Sequence, residues 1–514
     1  MSRKFTSTVA GASLLIATIG LLGRGIGFIR EVVFASYFGI GKDFDIYLVG
    51  AVLPITVGTI LLYTGQNYFI PSYNNYKQND TREFVGRSFI TFLFFGFVIA
   101  FLLFIAANPI INLYMGNSPA SAKEIAYYIY IIFLITIPLS AGTSILSAYF
   151  QSVLEFRYPT FSRLFLSLST IVFVLLFGKQ VGVFIIAIGY LTGSLLQFLY
   201  LLIKAKLKIS SSVINFFKNK AELQSIFGFS MVSIILIEAI SQLYVLFDRY
   251  FYNEVSTGGI AALNYAQTLF AFPVGILSYA LATAIFPKLS ASVKEKADES
   301  LKSLFTEAML VILLLFTPIT FIFTFFPREV ISLIFERGNF NAESTFYTAT
   351  ALRYFSYSLI FYAVYAVINK VFYSTGLIKT LLIITMIGSL LKILLNFVLV
   401  KSMLHNGLAL GSTISYLFLF VSCFMVLNFK LKLKITSPFI SNLFIMIANS
   451  FISFLIVQIL FSILNVKSLV TDFLQIIIFM LIFIMNIFLI NHPSVKIFLN
   501  VYRKFKGYTI ASNN

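Results

Sequence analysis

Long apolar stretches separated by short polar loops run from one end of the chain to the other. They fall at about 8–35, 44–72, 84–113, 124–152, 158–178, 181–204, 223–252, 258–287, 301–326, 343–373, 378–400, 405–429, 437–464 and 469–491. Each is long enough to cross ~30 Å of hydrocarbon as a helix. Barrel strands need only ~9–11 residues and alternate apolar with polar positions, a pattern these runs lack. The pattern predicts an all-α polytopic membrane protein with about fourteen transmembrane helices.

The runs also repeat. "DIYLVGAVLPITVGT" carries Pro54 in mid-span with Pro71 at the exit, and "LNYAQTLFAFPVGIL" carries Pro273 with Pro287 in the same roles. "IINLY" (Ile110–Tyr114) is answered by "VISLI" (Val330–Ile334). The offsets of 216 to 220 residues predict a six-span unit that recurs in the same orientation. Two pseudo-symmetric six-helix bundles are expected, at 1–204 and 223–430, joined by a basic linker at 205–222. Two extra helices and a basic tail would fill 431–514. Transporters are commonly built from such repeats.

Composition agrees with a membrane protein. The 514 residues are 59% hydrophobic and 11% charged, with a mean hydropathy of +0.94, too little polar surface to cover a soluble globule. The formal charge of +18 does not indicate nucleic acid, because the Lys and Arg residues cluster in alternate short loops. The clusters are "KAKLKISSSVINFFKNK" (Lys204–Lys220), "PKLSASVKEKADESLK" (Pro287–Lys302), "FKLKLK" (Phe429–Lys434) and "YRKFK" (Tyr502–Lys506). By the positive-inside rule both termini are cytoplasmic.

The start of the chain has the basic head and apolar body of a signal peptide but no A-x-A-like cleavage site. It is expected to remain as the first helix. Cys423 is the single cysteine, so there is no disulfide framework and no cysteine metal site. His405 and His492 stand at span ends, and no Gly-rich phosphate loop precedes a Lys-Ser/Thr pair. Neither an enzyme nor an ATPase is expected within the chain.

Charge inside the spans changes the picture. "LLGRGIGFIREVVFASYFGIG" (Leu21–Gly41) places Arg24, Arg30 and Glu31 in the first apolar run. Each costs at least ~2.5–3.5 kcal/mol near the bilayer centre. Arg24 and Arg30 stand about 120° apart around a helix, and Glu31 lies nearly on the face of Arg24. Gly20, Gly23, Gly25 and Gly27 cluster there, where a helix can bend or unwind beside a cavity. Two guanidinium groups against one carboxylate leave positive charge that calls for an anion. Glu238 and Lys392 lie well inside their runs, while Asp248, Arg249 and Arg353 read equally well as interfacial.

"LLGRGIGFIREVVFASYFGIGKDFDIYLVGAVLP" resembles the first two helices of the MurJ (MviN) lipid II flippases, within the multidrug/oligosaccharidyl-lipid/polysaccharide (MOP) exporter superfamily. "LFDRYF", "ALNYAQTLFAFPVGILSYALATAIFPKLS" and "LIFERGNFNAESTFYTATAL" resemble later family segments in the same order. The resemblance implies a flippase of the bacterial cytoplasmic membrane, a monomer that works by alternating access among membrane lipids. It would carry an undecaprenyl-pyrophosphate-linked glycan through a cationic central cavity, with Arg24, Arg30, Glu31 and Asp45 as substrate-site residues. Lipid II, the peptidoglycan precursor, is the first substrate implied, and another lipid-linked oligosaccharide is the alternative. An ion-coupled drug exporter would want an acidic, aromatic cavity, against which Arg24 and Arg30 argue.

The chain departs from the family pattern where Ile55 and Gly58 replace an Asn and an Arg, and where Tyr265–Thr268 reads "YAQT" in place of Y-A-D-R. No cofactor is implied, but coupling to membrane potential or a monovalent cation is. A headgroup of about two negative charges gains ~2.3 kcal/mol per charge per 100 mV on leaving a negative interior. Some family members hold a sodium ion through an acid matching Asp248 and polar residues matching 392 and 396. Lys392 cannot ligate a cation. The expectation is that its ammonium stands in for the ion, near Asp248 or Glu238, with Asn396 one turn away.

Overall fold

The computed structural model describes residues 9–75, 81–206, 229–295, 297–430, 436–464 and 469–495. Most of the basic linker, positions 431–435 and the basic tail lie outside the described residues. The described residues form helices and no strand. In chain order they are α1 (Val9–Phe38), α2 (Lys42–Asn75), α3 (Thr81–Ile105), α4 (Ala107–Met115), α5 (Ala120–Leu134), α6 (Thr136–Ser152) and α7 (Arg157–Ser162). Then follow α8 (Leu164–Val181), α9 (Phe184–Ala205), α10 (Phe229–Tyr250), α11 (Gly259–Pro273), α12 (Tyr279–Lys294), α13 (Asp298–Phe325) and α14 (Pro327–Phe335). The last are α15 (Ala342–Ser356), α16 (Leu359–Ser374), α17 (Ile378–Met403), α18 (His405–Lys430), α19 (Thr436–Leu464) and α20 (Leu469–Leu489).

Among the described residues, eleven helical stretches are long and apolar enough to cross a membrane. The count becomes twelve when α15 and α16, bent by 52° at their junction, form one span. About fourteen were expected from the sequence. Outside that twelve, α1 and α10 occupy the places of the first and seventh expected spans, and these are the helices that carry the intramembrane charge of Arg24, Arg30, Glu31, Glu238, Asp248 and Arg249. The repeat is visible locally: α4 and α14 are both nine residues long and hold "IINLY" and "VISLI".

The chain divides into two compact units. The first comprises Met1–Tyr265 with Arg337–Ser344 and Asn396–His405. In it α2 packs on α5, α6 and α10, α6 on α3 and α9, and α8 on α1 and α9. Phe69, Phe92, Ile137, Ile145 and Leu146 sit in its core. Without a hydrophobic drive between helices in lipid, close approach comes from small residues. A Cβ on Gly50 of α2 would come 2.7 Å from the carbonyl oxygen of Ala126 on α5.

The second unit comprises Ala266–Glu336, Thr345–Leu395 and Asn406–Asn514. Its α16 packs on α12 and α13, and α19 packs on α13 and α20. Phe270, Tyr362 and Tyr416 pack ring to ring, with centroids 4.4 to 5.9 Å apart. The two repeat-related prolines behave differently. Pro54 lies within the unbroken α2, whereas Pro273 ends α11 and is followed by a π-helical turn, Val274–Ser278. A proline removes one backbone donor, and a π turn is one way to absorb the resulting mismatch.

Candidate functional site

Arg24, Arg30 and Glu31 all lie on α1, which runs unbroken through the glycine cluster that was expected to allow a bend. A Cβ on Gly23 would touch Leu164 of α8 at 3.7 Å, whereas one on Gly20 or Gly25 would meet no described atom within 4 Å. One flank of the helix is therefore packed and another is open. Arg24 is exposed.

Arg30 turns toward its neighbour. Its Nη2 and Nε donate to Glu31 Oε1 at 2.6 and 3.1 Å, and its guanidinium lies 5.6 Å from the ring centre of Phe34. Tyr47 and Tyr190 are within electrostatic reach of it. The other carboxylate oxygen of Glu31 accepts from Asn264 Nδ2 at 3.4 Å, and Asn264 Oδ1 accepts from Arg249 Nη2 at 2.9 Å. A chain of four polar side chains thus links α1, α10 and α11. Arg249, which by sequence reads equally well as interfacial, is 3% exposed, with Asp248, Asp45 and Glu31 as its charged neighbours.

Asp45, which the resemblance implies as a substrate-site residue, sits at the start of a helix. Its two carboxylate oxygens accept from the backbone N–H of Gly258 at 2.6 Å and of Ala261 at 2.7 Å, the start of α11. The first N–H groups of a helix have no partner within the helix, and a carboxylate placed there also meets the positive end of the helix dipole. The approach requires Gly258, whose φ of +83° suits glycine and whose added Cβ would collide with the carbonyl oxygen of Ile40. Tyr265 closes the same corner: it stacks on Phe44 at 5.3 Å and donates to the carbonyl of Gly39 at 3.3 Å. The segment at 337–344 joins in, with Asn339 N donating to Ser36 O at 2.8 Å and Asn339 Nδ2 to Tyr37 O at 2.5 Å.

Among the described residues, the carboxylates of Glu31, Asp45 and Asp248 act on the Arg249 guanidinium, and Glu31 also pairs with Arg30. The count from sequence set Arg24 and Arg30 against Glu31 alone. Arg30 is engaged by Glu31, and Arg24 is exposed.

Of the residues expected to handle an ion, Asp248 and Asn396 meet directly. Asp248, 1% exposed, accepts from Asn396 Nδ2 at 3.0 Å. Lys392, also 1% exposed, lies one turn earlier on α17. The Asn396 amide N–H donates to the carboxylate, while the ammonium of Lys392 has donors and no acceptor. Glu238 stands apart, its Oε1 accepting from Asn67 Nδ2 at 3.1 Å. Among the described residues no three His, Cys, Asp or Glu side chains gather as a metal site would require.

The model of the family described as lipid II flippase MurJ matches residues 34–484. The chain belongs to the MurJ family. The protein named "Probable lipid II flippase MurJ" in Borreliella burgdorferi is 25% identical over 453 residues, covering 85% of this chain and 86% of that one. Its namesake in Rickettsia prowazekii is 26% identical over 416 residues, covering 79% and 82%. In fold the chain is similar to a solved lipid II flippase MurJ in an inward closed conformation, with a TM-score of 0.77 at 20% identity over 92% of this chain and 97% of that one. It is also similar to an inward-facing multidrug resistance MATE transporter of the MOP superfamily, with a TM-score of 0.65 at 16% identity over 82% of this chain and 99% of that one.

The MurJ match begins four residues beyond Arg30, so the description of Arg24, Arg30 and Glu31 rests on their own geometry. Sequence reasoning missed Asn264, the link between Glu31 and Arg249. One signal was present: the offset of 219 between Pro54 and Pro273 also relates Arg30 to Arg249 and Asp45 to Asn264.

Proposed function

We propose that this protein is a lipid II flippase, which takes the undecaprenyl-pyrophosphate-linked precursor from the inner leaflet of the bacterial cytoplasmic membrane and releases it in the outer leaflet. The observation that carries this reading is the family match across 34–484. Arg24 and Arg30 act as counter-charge to the pyrophosphate, which cannot cross hydrocarbon bare. A guanidinium suits this task because its planar fork pairs with phosphate oxygens in a bidentate way. Glu31 holds Arg30 in place until the ligand arrives, and Asp45 fastens the start of α11. Both termini are cytoplasmic, the protein works as a monomer, and it catalyses no covalent chemistry.

Lys392 supplies permanently the positive charge that a bound cation supplies elsewhere in the family, so transport needs no sodium. Complementation tests the main reading: cells depleted of their own lipid II flippase should grow when this chain is expressed. Lysis of such cells despite normal membrane insertion of the protein contradicts it.

The alternative substrate is another glycan on the same lipid. It is favoured by Ile55 and Gly58, which put no charge on the wall of the cavity they line. Rescue of a surface-polysaccharide export defect, without rescue of lipid II flipping, would decide for it.

A further inference from the structure

A second polar space lies within the first unit, apart from the hydrogen bonds around Glu31. It measures about 230 Å³ and is bounded by α2, α6, α8 and α9. Thr59 and Tyr63 of α2, Ser140 and Thr143 of α6, Gln197 of α9 and Arg163, at the joint between α7 and α8, line it. Among the described lining residues Arg163 carries the only full charge, and none is Asp or Glu. Gly58 keeps the wall thin: a Cβ there would stand 3.2 Å from Ser140 Oγ. Tyr190 lines the same space and is also a neighbour of Arg30, which ties the cavity to the arginine helix.

The chemistry of this lining is specific. Hydroxyls and an amide both donate and accept hydrogen bonds, as the hydroxyls of a sugar demand. The rings of Tyr63 and Tyr190 offer flat apolar faces with a polar tip, which suit the C–H face of a pyranose. A guanidinium with no carboxylate beside it pairs with phosphate or carboxylate. A polyprenyl tail would leave these polar groups without partners. The geometry points to a subsite for the acidic, hydroxylated part of the headgroup, a sugar at the pyrophosphate end, with Arg163 as its anion contact. This subsite rests on the flippase reading and deepens it.

The chain contains no Trp, so Tyr63→Trp places a unique fluorophore on the cavity wall. The full-length variant is titrated with three probes: a short-chain polyprenyl pyrophosphoryl disaccharide, the same polyprenyl pyrophosphate without sugar, and inorganic pyrophosphate. The disaccharide probe should change the emission saturably. Adding Arg163→Gln should weaken its binding about tenfold or more, the loss of a charge-assisted hydrogen-bonded pair, and Arg163→Lys should lie between. Thermal unfolding should be the same for all three, since Arg163 is exposed.

An equal response to the sugarless probe or to pyrophosphate alone overturns the subsite, as does binding indifferent to Arg163→Gln. Flipping of lipid II by the unsubstituted protein is measured in parallel. A silent reporter with intact flipping overturns the subsite alone; loss of both binding and flipping overturns the flippase reading and the subsite with it.

Discussion

Two polar regions of the first unit follow opposite designs. Around Glu31, each group is answered by another protein group: Arg30 by Glu31, Glu31 by Asn264, Asn264 by Arg249, and Asp45 by two backbone N–H groups. In the cavity of Arg163, hydroxyls, an amide and one guanidinium face a space of about 230 Å³ with no carboxylate among the described lining residues. Both regions put polar groups among apolar helices, but the first pairs them with one another and the second turns them toward an open space. The difference teaches that a buried charge is not by itself a binding residue. Where the protein supplies a counter-charge, as Glu31 does for Arg30, the charge also helps to fasten helices and must be released to meet a substrate; Arg163 faces its space without one among the lining residues.

The largest separation between the two roles is expected at Arg24. Its replacement by Ala should reduce complementation of flippase-depleted cells to background, with Arg24→Lys recovering part of it because the bidentate fork is lost. Immunoblots of membranes should show unchanged protein. Growth supported by Arg24→Ala would remove this residue from the recognition side.

Arg249→Ala should act on the fastening side. Removing one partner of a buried charge network costs about 3–5 kcal/mol, whereas an exposed position such as Arg24 should stay within about 0.5 kcal/mol. Unfolding of the purified variants in detergent should rank them in that order, and equal stability of the two would erase the distinction.

Asp45→Ala should cost less, about 1–2 kcal/mol, the usual worth of a helix N-cap. Asp45→Asn should recover much of it, because an amide oxygen still accepts from Gly258 or Ala261. If Asp45→Asn instead abolished flipping at full stability, Asp45 would belong with the substrate after all.

The smallest expected effect is that of sodium. Replacing sodium by potassium should leave flipping by the unsubstituted protein unchanged. Lys392→Asn should either stop transport, by leaving a buried carboxylate without its compensating charge, or make it sodium-dependent. A sodium requirement before substitution would refute the role assigned to Lys392.

Much of the architecture was legible in the chain because hydrocarbon thickness imposes one length scale on every span. Each predicted run overlaps described helix, although 84–113, 124–152, 158–178, 258–287 and 343–373 are each divided between two helices and 223–228 lie outside the described residues; the recurrence of "IINLY" as "VISLI" marked two helices of equal length. The polar site was legible only in part. Arg30 and Glu31 are adjacent and could be paired by inspection, but Asn264 meets Glu31 across 233 residues of sequence. The contacts of Asp45 at the start of α11 could not be read from the chain, because its partners are backbone N–H groups, which leave no trace in residue identity. Arg163 went unremarked because an arginine near the start of an apolar run reads as an ordinary positive-inside residue. What distinguishes it is the break between α7 and α8, which turns it onto a cavity wall.

The central claim is tested most directly with the purified protein in vesicles holding fluorescent lipid II, by following the fraction of headgroup that an external reagent can reach. The account predicts that the protected fraction falls rapidly with the unsubstituted protein and remains at the level of protein-free vesicles with Arg24→Ala and Arg30→Ala combined. Protection that persists with the unsubstituted protein, or is lost equally fast with the double variant, would contradict it.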